Sequence, residues 1–142
     1  MPAAADFSTM LPHPIPTDDR ARLLLFAIRR MAAGGLADAH AAAAFLGAFG
    51  KSYRRPLVLL RALMAEMARA AANPIIVAPC CCPRMTDGES TLLTAIATSE
   101  ADPRGARRRL GALLPSSQSL GALSSAQAVS RAFADLGRPL LA

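Results

Sequence analysis

Prolines and glycines cut this chain into short apolar segments, and within each segment the large hydrophobic residues recur every three or four positions. That spacing is the period of an amphipathic helix rather than of a strand. The clearest case begins at Thr17, a capping residue followed by Asp18 and Asp19 at the positive end of the helix dipole. From there Ala21, Leu24, Leu25, Ile28, Met31 and Ala32 share one face while Arg22 and Arg29 point away, and Gly34 and Gly35 supply the stop. The pattern predicts a first helix over residues 18–33.

An alanine-rich helix is expected next, over 37–49, ending at Gly50. Pro56, tolerated in a first turn, opens a third helix reaching residue 72, with Leu57, Leu60, Leu63, Met64 and Met67 inward and Glu66 and Arg69 outward. "NPIIVAP", residues 73–79, is too short and too proline-bounded for a helix and reads as an extended connector. Thr86 and Glu89 then match a capping box, so that a fourth helix directs Leu92, Leu93 and Ile96 inward. Asp102 and Pro103 open a fifth segment carrying Arg104, Arg107, Arg108 and Arg109. "PSSQSLGALSS", residues 115–125, reads as a flexible connector, leaving Ser124 or Ser125 to cap a sixth helix with Ala126, Val129, Phe133 and Leu136 in step.

The expected fold is therefore all-α, a single compact domain of five or six short helices with an extended connector that contains cysteines. A length of 142 residues suits one domain, and aromatics at 4% within a hydrophobic share of 53% mean that much of the apolar fraction is alanine, which favours closely packed helices. Residues 1–16, with Pro2, Pro12, Pro14 and Pro16, read as a flexible arm ahead of a helical domain over 17–142. The start lacks the basic and apolar runs of a secretory signal. The longest apolar segment is broken by Arg61, Glu66 and Arg69, so no membrane span is expected. A cytoplasmic setting follows, with thiols kept reduced.

Chemistry concentrates in "VAPCCCPRMTDGE", where Cys80, Cys81 and Cys82 stand between Pro79 and Pro83 just ahead of the capping box. If the segment is extended, Cys80 and Cys82 point together and Cys81 points inward as packing. Two convergent thiolates fall short of the four tetrahedral ligands zinc prefers, and the C-x2-4-C spacing is lacking. His40, or His13 from the arm, could add a ligand, and two subunits each giving a cysteine pair would suit Zn or Cu(I). A thiol switch competes with this, Arg84 and the amides of the helix start being placed to favour thiolate. The third alternative is that cysteine, small and readily buried, extends the run "IIVA" into the core.

Three stretches, "ARLLLFAIRRMAAGGLADAHAA", "SYRRPLVLLRALMAE" and "APCCCPRMTDGE", resemble a small uncharacterised protein family of alphaproteobacteria, described as a domain of unknown function. The resemblance spans roughly residues 18–98, with the cysteine segment its most distinctive part. It implies a bacterial, cytoplasmic origin and carries no mechanism.

The net charge of +6 rests on fifteen arginines and Lys51. Arg29 with Arg30, Arg54 with Arg55 beside Tyr53, and Arg107 to Arg109 are basic groups of the kind that track phosphates, and Arg54, Arg55 and Arg84 are the candidates for binding an anion or a partner. A helix-turn-helix does not fit, because the connection "GKSYRRP" is too long. No catalytic set and no glycine-rich phosphate loop is present in the pattern, so an enzyme cannot be asserted from it. The expected function is a non-enzymatic binding or regulatory module with a protein partner or a second copy of itself, the alternative being association with nucleic acid through the arginines.

Overall fold

The fold is that of a computed structural model describing residues 10–141. Six α-helices carry it among these residues: α1 (Asp19–Gly34), α2 (Ala39–Phe49), α3 (Arg54–Ala70), α4 (Asp87–Thr98), α5 (Pro103–Gly111) and α6 (Ser116–Asp135). The sheet is a two-stranded antiparallel ribbon of β1 (His13–Pro14) and β2 (Arg84–Met85). The all-α expectation holds. No helix among the described residues is long and apolar enough to cross a membrane.

Side-chain caps set most helix starts. Asp18, one residue later than expected, accepts from the N–H of Ala21 at 3.1 Å to begin α1. Asp38 accepts from the N–H groups of His40 and Ala41 at 2.9 and 3.1 Å to begin α2. The capping box of α4 forms in both directions: Thr86 Oγ1 accepts from the Glu89 N–H at 3.1 Å, and Glu89 Oε1 accepts from the Thr86 N–H at 2.9 Å. At α5, Asp102 accepts from the Gly105 N–H while Pro103 takes the first helical position.

Helices α3 and α6 pack along one another, α5 lies against both α4 and α6, and α2 adjoins α1 and α3. Leu60, Leu63, Ile96, Val129 and Phe133 are fully enclosed between them. Phe45 and Phe49 of α2 meet Phe133 of α6 edge to face, with ring centroids 5.9 and 5.0 Å away.

Two expectations need correction. The stretch read as a flexible connector belongs to α6, whose 20 residues start at Ser116. Ser119, Ala122, Leu123 and Ala126 are buried at helical spacing, so the small residues of this stretch are a contact surface. Gly121 shows why: a Cβ there would stand 2.7 Å from Glu66 Oε1 of α3. Glu66, expected on the outer face of α3, in fact meets α6 and accepts from Ser125 Oγ at 2.7 Å.

Residues 71–83 form neither helix nor strand. The part of the proline-rich arm within residues 1–9 lies outside the described residues. The part that follows runs across the end of the connector: His13 pairs with Met85 and Pro14 with Arg84 in the ribbon. Arg84 donates to the carbonyls of Leu11 and Pro12 at 2.8 and 2.7 Å, and His13 Nε2 lies 2.6 Å from Asp87 Oδ1.

Candidate thiol site

The cysteine segment is held from behind by a buried charge pair. Arg29 of α1 is 3% exposed and Glu89 of α4 is 1% exposed. Arg29 Nε donates to Glu89 Oε2 at 2.6 Å and Nη2 to Oε1 at 3.1 Å, a bidentate pairing. The remaining guanidinium donors reach the backbone of the cysteine segment, Nη1 to the Cys82 carbonyl at 2.9 Å and Nη2 to the Arg84 carbonyl at 2.8 Å. Glu89 also accepts from the N–H of Ala78 at 3.3 Å, on the other side of the cysteines. One ion pair thus ties the connector before and after Cys80–Cys82 to two helices. Arg29, expected to point away from the core, is the corrected case, and its presumed role beside Arg30 as a phosphate-tracking group is excluded by its burial.

Held this way, the cysteines form a turn instead of an extended run. The Cys82 N–H donates to the Pro79 carbonyl at 3.0 Å, placing Cys80 and Cys81 at the two corner positions. Side chains at a turn do not alternate as in a strand, and the consequence is a correction: Cys81 is exposed, not packed inward. Cys80 is exposed as well, and Cys82 is half-buried. Cys80 and Cys81 are therefore not a continuation of the apolar core, and Cys82 is only partly enclosed.

On the solvent side, Cys80 adjoins a second arginine. Arg30 Nη2 and Nε donate to Asp38 Oδ2 and Oδ1 at 2.9 and 3.2 Å, and Nη2 lies 3.2 Å from His40 Nδ1, which must accept there because a guanidinium only donates. The pKa of Arg30 is raised above its ordinary value, by Asp38 first and by the neighbouring Cys80 thiol second. Asp38 is held down to about 2, first by the hydrogen bonds from Arg30, with the N–H groups of Ala41 and His40 adding and burial opposing. Gly34 leaves the room for this, since a Cβ there would collide with Asp38 Oδ2. Arg30 therefore stands among Cys80, Asp38 and His40.

A depressed carboxylate pKa has a definite sign for stability. The ionised Asp38 favours the folded state in full above about pH 4, and that contribution disappears as pH falls through about 2. Asn retains capping ability, so Asp38→Asn isolates the charge. We expect Asp38→Asn to melt at a lower temperature than the parent protein at neutral pH, with the gap closing between about pH 4 and pH 2. A gap that stays constant to pH 2 would show that the charge on Asp38 is not what stabilises.

The turn separates two hollows. One, of about 360 Å³, is walled by Arg22, Phe26 and Arg29 of α1 and by all three cysteines. The other, of about 350 Å³, is apolar and meets Cys81 and Cys82 from the side of Met10 and Ile76. A larger cleft, of about 750 Å³, lies elsewhere along the connector and touches no cysteine. Among the described residues, no group of three or more His, Cys, Asp or Glu is close enough to hold a metal ion. The remaining candidates are scattered: Arg54 is exposed at the start of α3, Arg55 pairs with Asp135 at 2.8 Å, and Arg84 is engaged by Leu11 and Pro12.

A family model, described as a family of unknown function (DUF6628), matches residues 2–138. The chain belongs to DUF6628. No curated protein and no solved structure matches it significantly. What can be said of chemistry in this DUF6628 chain therefore comes from its own residues. The cations beside the cysteine turn include Arg22, Arg29 and Arg30 of α1, whereas the sequence pointed to Arg84. The signal was in reach: Arg30 and Asp38 flank the Gly34–Gly35 helix stop, a spacing that lets one residue of α1 meet the cap of α2.

Proposed function

We propose that this chain is a non-enzymatic binding or regulatory module of the bacterial cytoplasm, acting through protein contacts, in which the Cys80–Cys82 turn is a thiol switch and Cys80 the reacting group. The observation that carries this reading is the exposure of Cys80 on a turn fixed by Arg29 and Glu89 and faced by arginines of α1. A positive charge next to sulfur is the setting in which cysteines react, and a fixed turn transmits a change at the sulfur to its surroundings. Zn or Cu(I) binding is the less supported use of the same residues, because one chain brings no third ligand to the thiols among the described residues. Association with nucleic acid through Arg54 and Arg55 stands behind both, since Arg55 is paired with Asp135.

The test is alkylation of the reduced protein with iodoacetamide, followed by peptide mapping. Cys80 should react faster than Cys82, and Arg30→Gln should slow Cys80 by about two- to fivefold, the effect expected from a weak, solvent-screened charge contact. Equal rates at all three positions, unchanged by Arg30→Gln, would remove the thiol switch. Zn or Cu(I) retained in native mass spectra of protein purified under reducing conditions would replace it with metal binding.

A further inference from the structure

The hollow on the α1 side of the cysteine turn carries a feature that the thiol reading does not use. Arg22, Phe26 and Arg29 fall at helical spacing on one face of α1 and form the wall opposite Cys80–Cys82. Arg29 is fully engaged by Glu89 and two carbonyls. Arg22 is exposed, and its side chain makes no hydrogen bond or ion pair among the described residues. A thiol, an apolar ring and a guanidinium unpaired among the described residues thus line one hollow. Its volume of about 360 Å³ is within the roughly 300–1,000 Å³ of small-ligand pockets.

We propose that this hollow receives a carboxylate-bearing low-molecular-weight disulfide, with Arg22 pairing its carboxylate while Cys80 exchanges with its sulfur. The proposal rests on the thiol reading and names its co-reactant. In the exchange, the Cys80 proton passes to solvent and the sulfur anion attacks one sulfur of the disulfide. A new S–S bond joins Cys80 to that half, the original S–S bond breaks, and the other half leaves as its thiolate. No further oxidant is needed, since the small disulfide is reduced as Cys80 is oxidised. A carboxylate is the group selected because a guanidinium binds it in a bidentate fork, whereas a neutral or cationic disulfide gains nothing from Arg22. Phe26 gives the apolar wall against which the carbon chain of the ligand lies.

Three probes of different charge separate this from the reading on which it rests. The reduced full-length protein is mixed with glutathione disulfide, hydroxyethyl disulfide or cystamine, and mixed-disulfide formation is timed by intact mass and mapped by peptide analysis. Each rate is divided by that of an unstructured cysteine peptide, to remove the intrinsic reactivity of the reagent. Glutathione disulfide should show the highest ratio, with the adduct on Cys80. Arg22→Gln, a change at an exposed position, should lower that ratio by about two- to fivefold and leave the hydroxyethyl disulfide ratio unchanged. Equal ratios for the three reagents, an adduct mapped to Cys81 or Cys82, or no effect of Arg22→Gln would overturn the proposal while leaving a reactive Cys80 intact. Failure of Cys80 to react even with hydroxyethyl disulfide would overturn both.

Discussion

Replacing Arg29 with methionine should destabilise the fold by about 3–5 kcal/mol, because it leaves the enclosed carboxylate of Glu89 without its counter-charge. The more telling result concerns the double replacement Arg29→Met with Glu89→Leu. Exchange of a buried ion pair for apolar residues is often neutral or stabilising. Here it should remain strongly destabilising. The pair satisfies the buried N–H groups of Ala78 and Thr86 and the part-buried carbonyls of Cys82 and Arg84, and each of the two buried N–H groups left unpaired costs about 1–3 kcal/mol. Urea unfolding of the three variants decides the matter. Recovery of the double variant to within about 1 kcal/mol of the parent would reduce Arg29–Glu89 to an ordinary ion pair.

Phe133→Ala should cost about 3–5 kcal/mol, the usual range for removing a fully enclosed ring. Phe133 is the ring that both Phe45 and Phe49 meet edge to face, so its loss opens a void shared by α2 and α6. Phe133→Leu fills part of the volume and gives up the ring contacts, and should cost less than Phe133→Ala yet clearly more than nothing. Phe49→Ala, at a half-buried position, should fall below Phe133→Ala. Thermal melts that place Phe133→Ala within about 1 kcal/mol of the parent would show that the site collapses freely and that the aromatic trio is not a keystone of the core.

Much of the scaffold was legible from local pattern. Leu57, Leu60, Leu63 and Met67 announced the inner face of α3, and Thr86 with Glu89 announced the start of α4, because periodicity and capping act over a few residues. The failures involve partners distant in sequence. Arg29 lies at the edge of the apolar stripe of α1, next to Leu25, and a cation there reads as outward unless its counter-charge, 60 residues away, is known. Ser119 and Gly121 looked like linker residues because composition reports polarity and flexibility, whereas Ser119 is buried and accepts from Arg107 Nε of α5, and Gly121 lets Glu66 of α3 come close. The cysteine turn was misjudged by carrying the extended "IIVA" geometry through Pro79. The carbonyl of Pro79 instead accepts from Cys82 and bends the chain.

The Arg29–Glu89 tie also orders events on the ribosome. Synthesis runs from the N-terminus, and domains fold as their sequence emerges. When α1 and α2 leave the exit tunnel, the counter-charge of Arg29 has yet to be made, 60 residues downstream, and β1 awaits β2. The nascent α1–α3 portion therefore has an unmatched guanidinium at a place the finished protein seals, and closing a loop of that length precedes any return in contact energy. The Glu89 anchor that holds Ala78 is made after the cysteines themselves, so the turn is fastened from that side only once residue 89 has emerged. Until then its thiols belong to an open chain, which makes the interval before Glu89 appears the period in which the three sulfurs are most open to wrong partners.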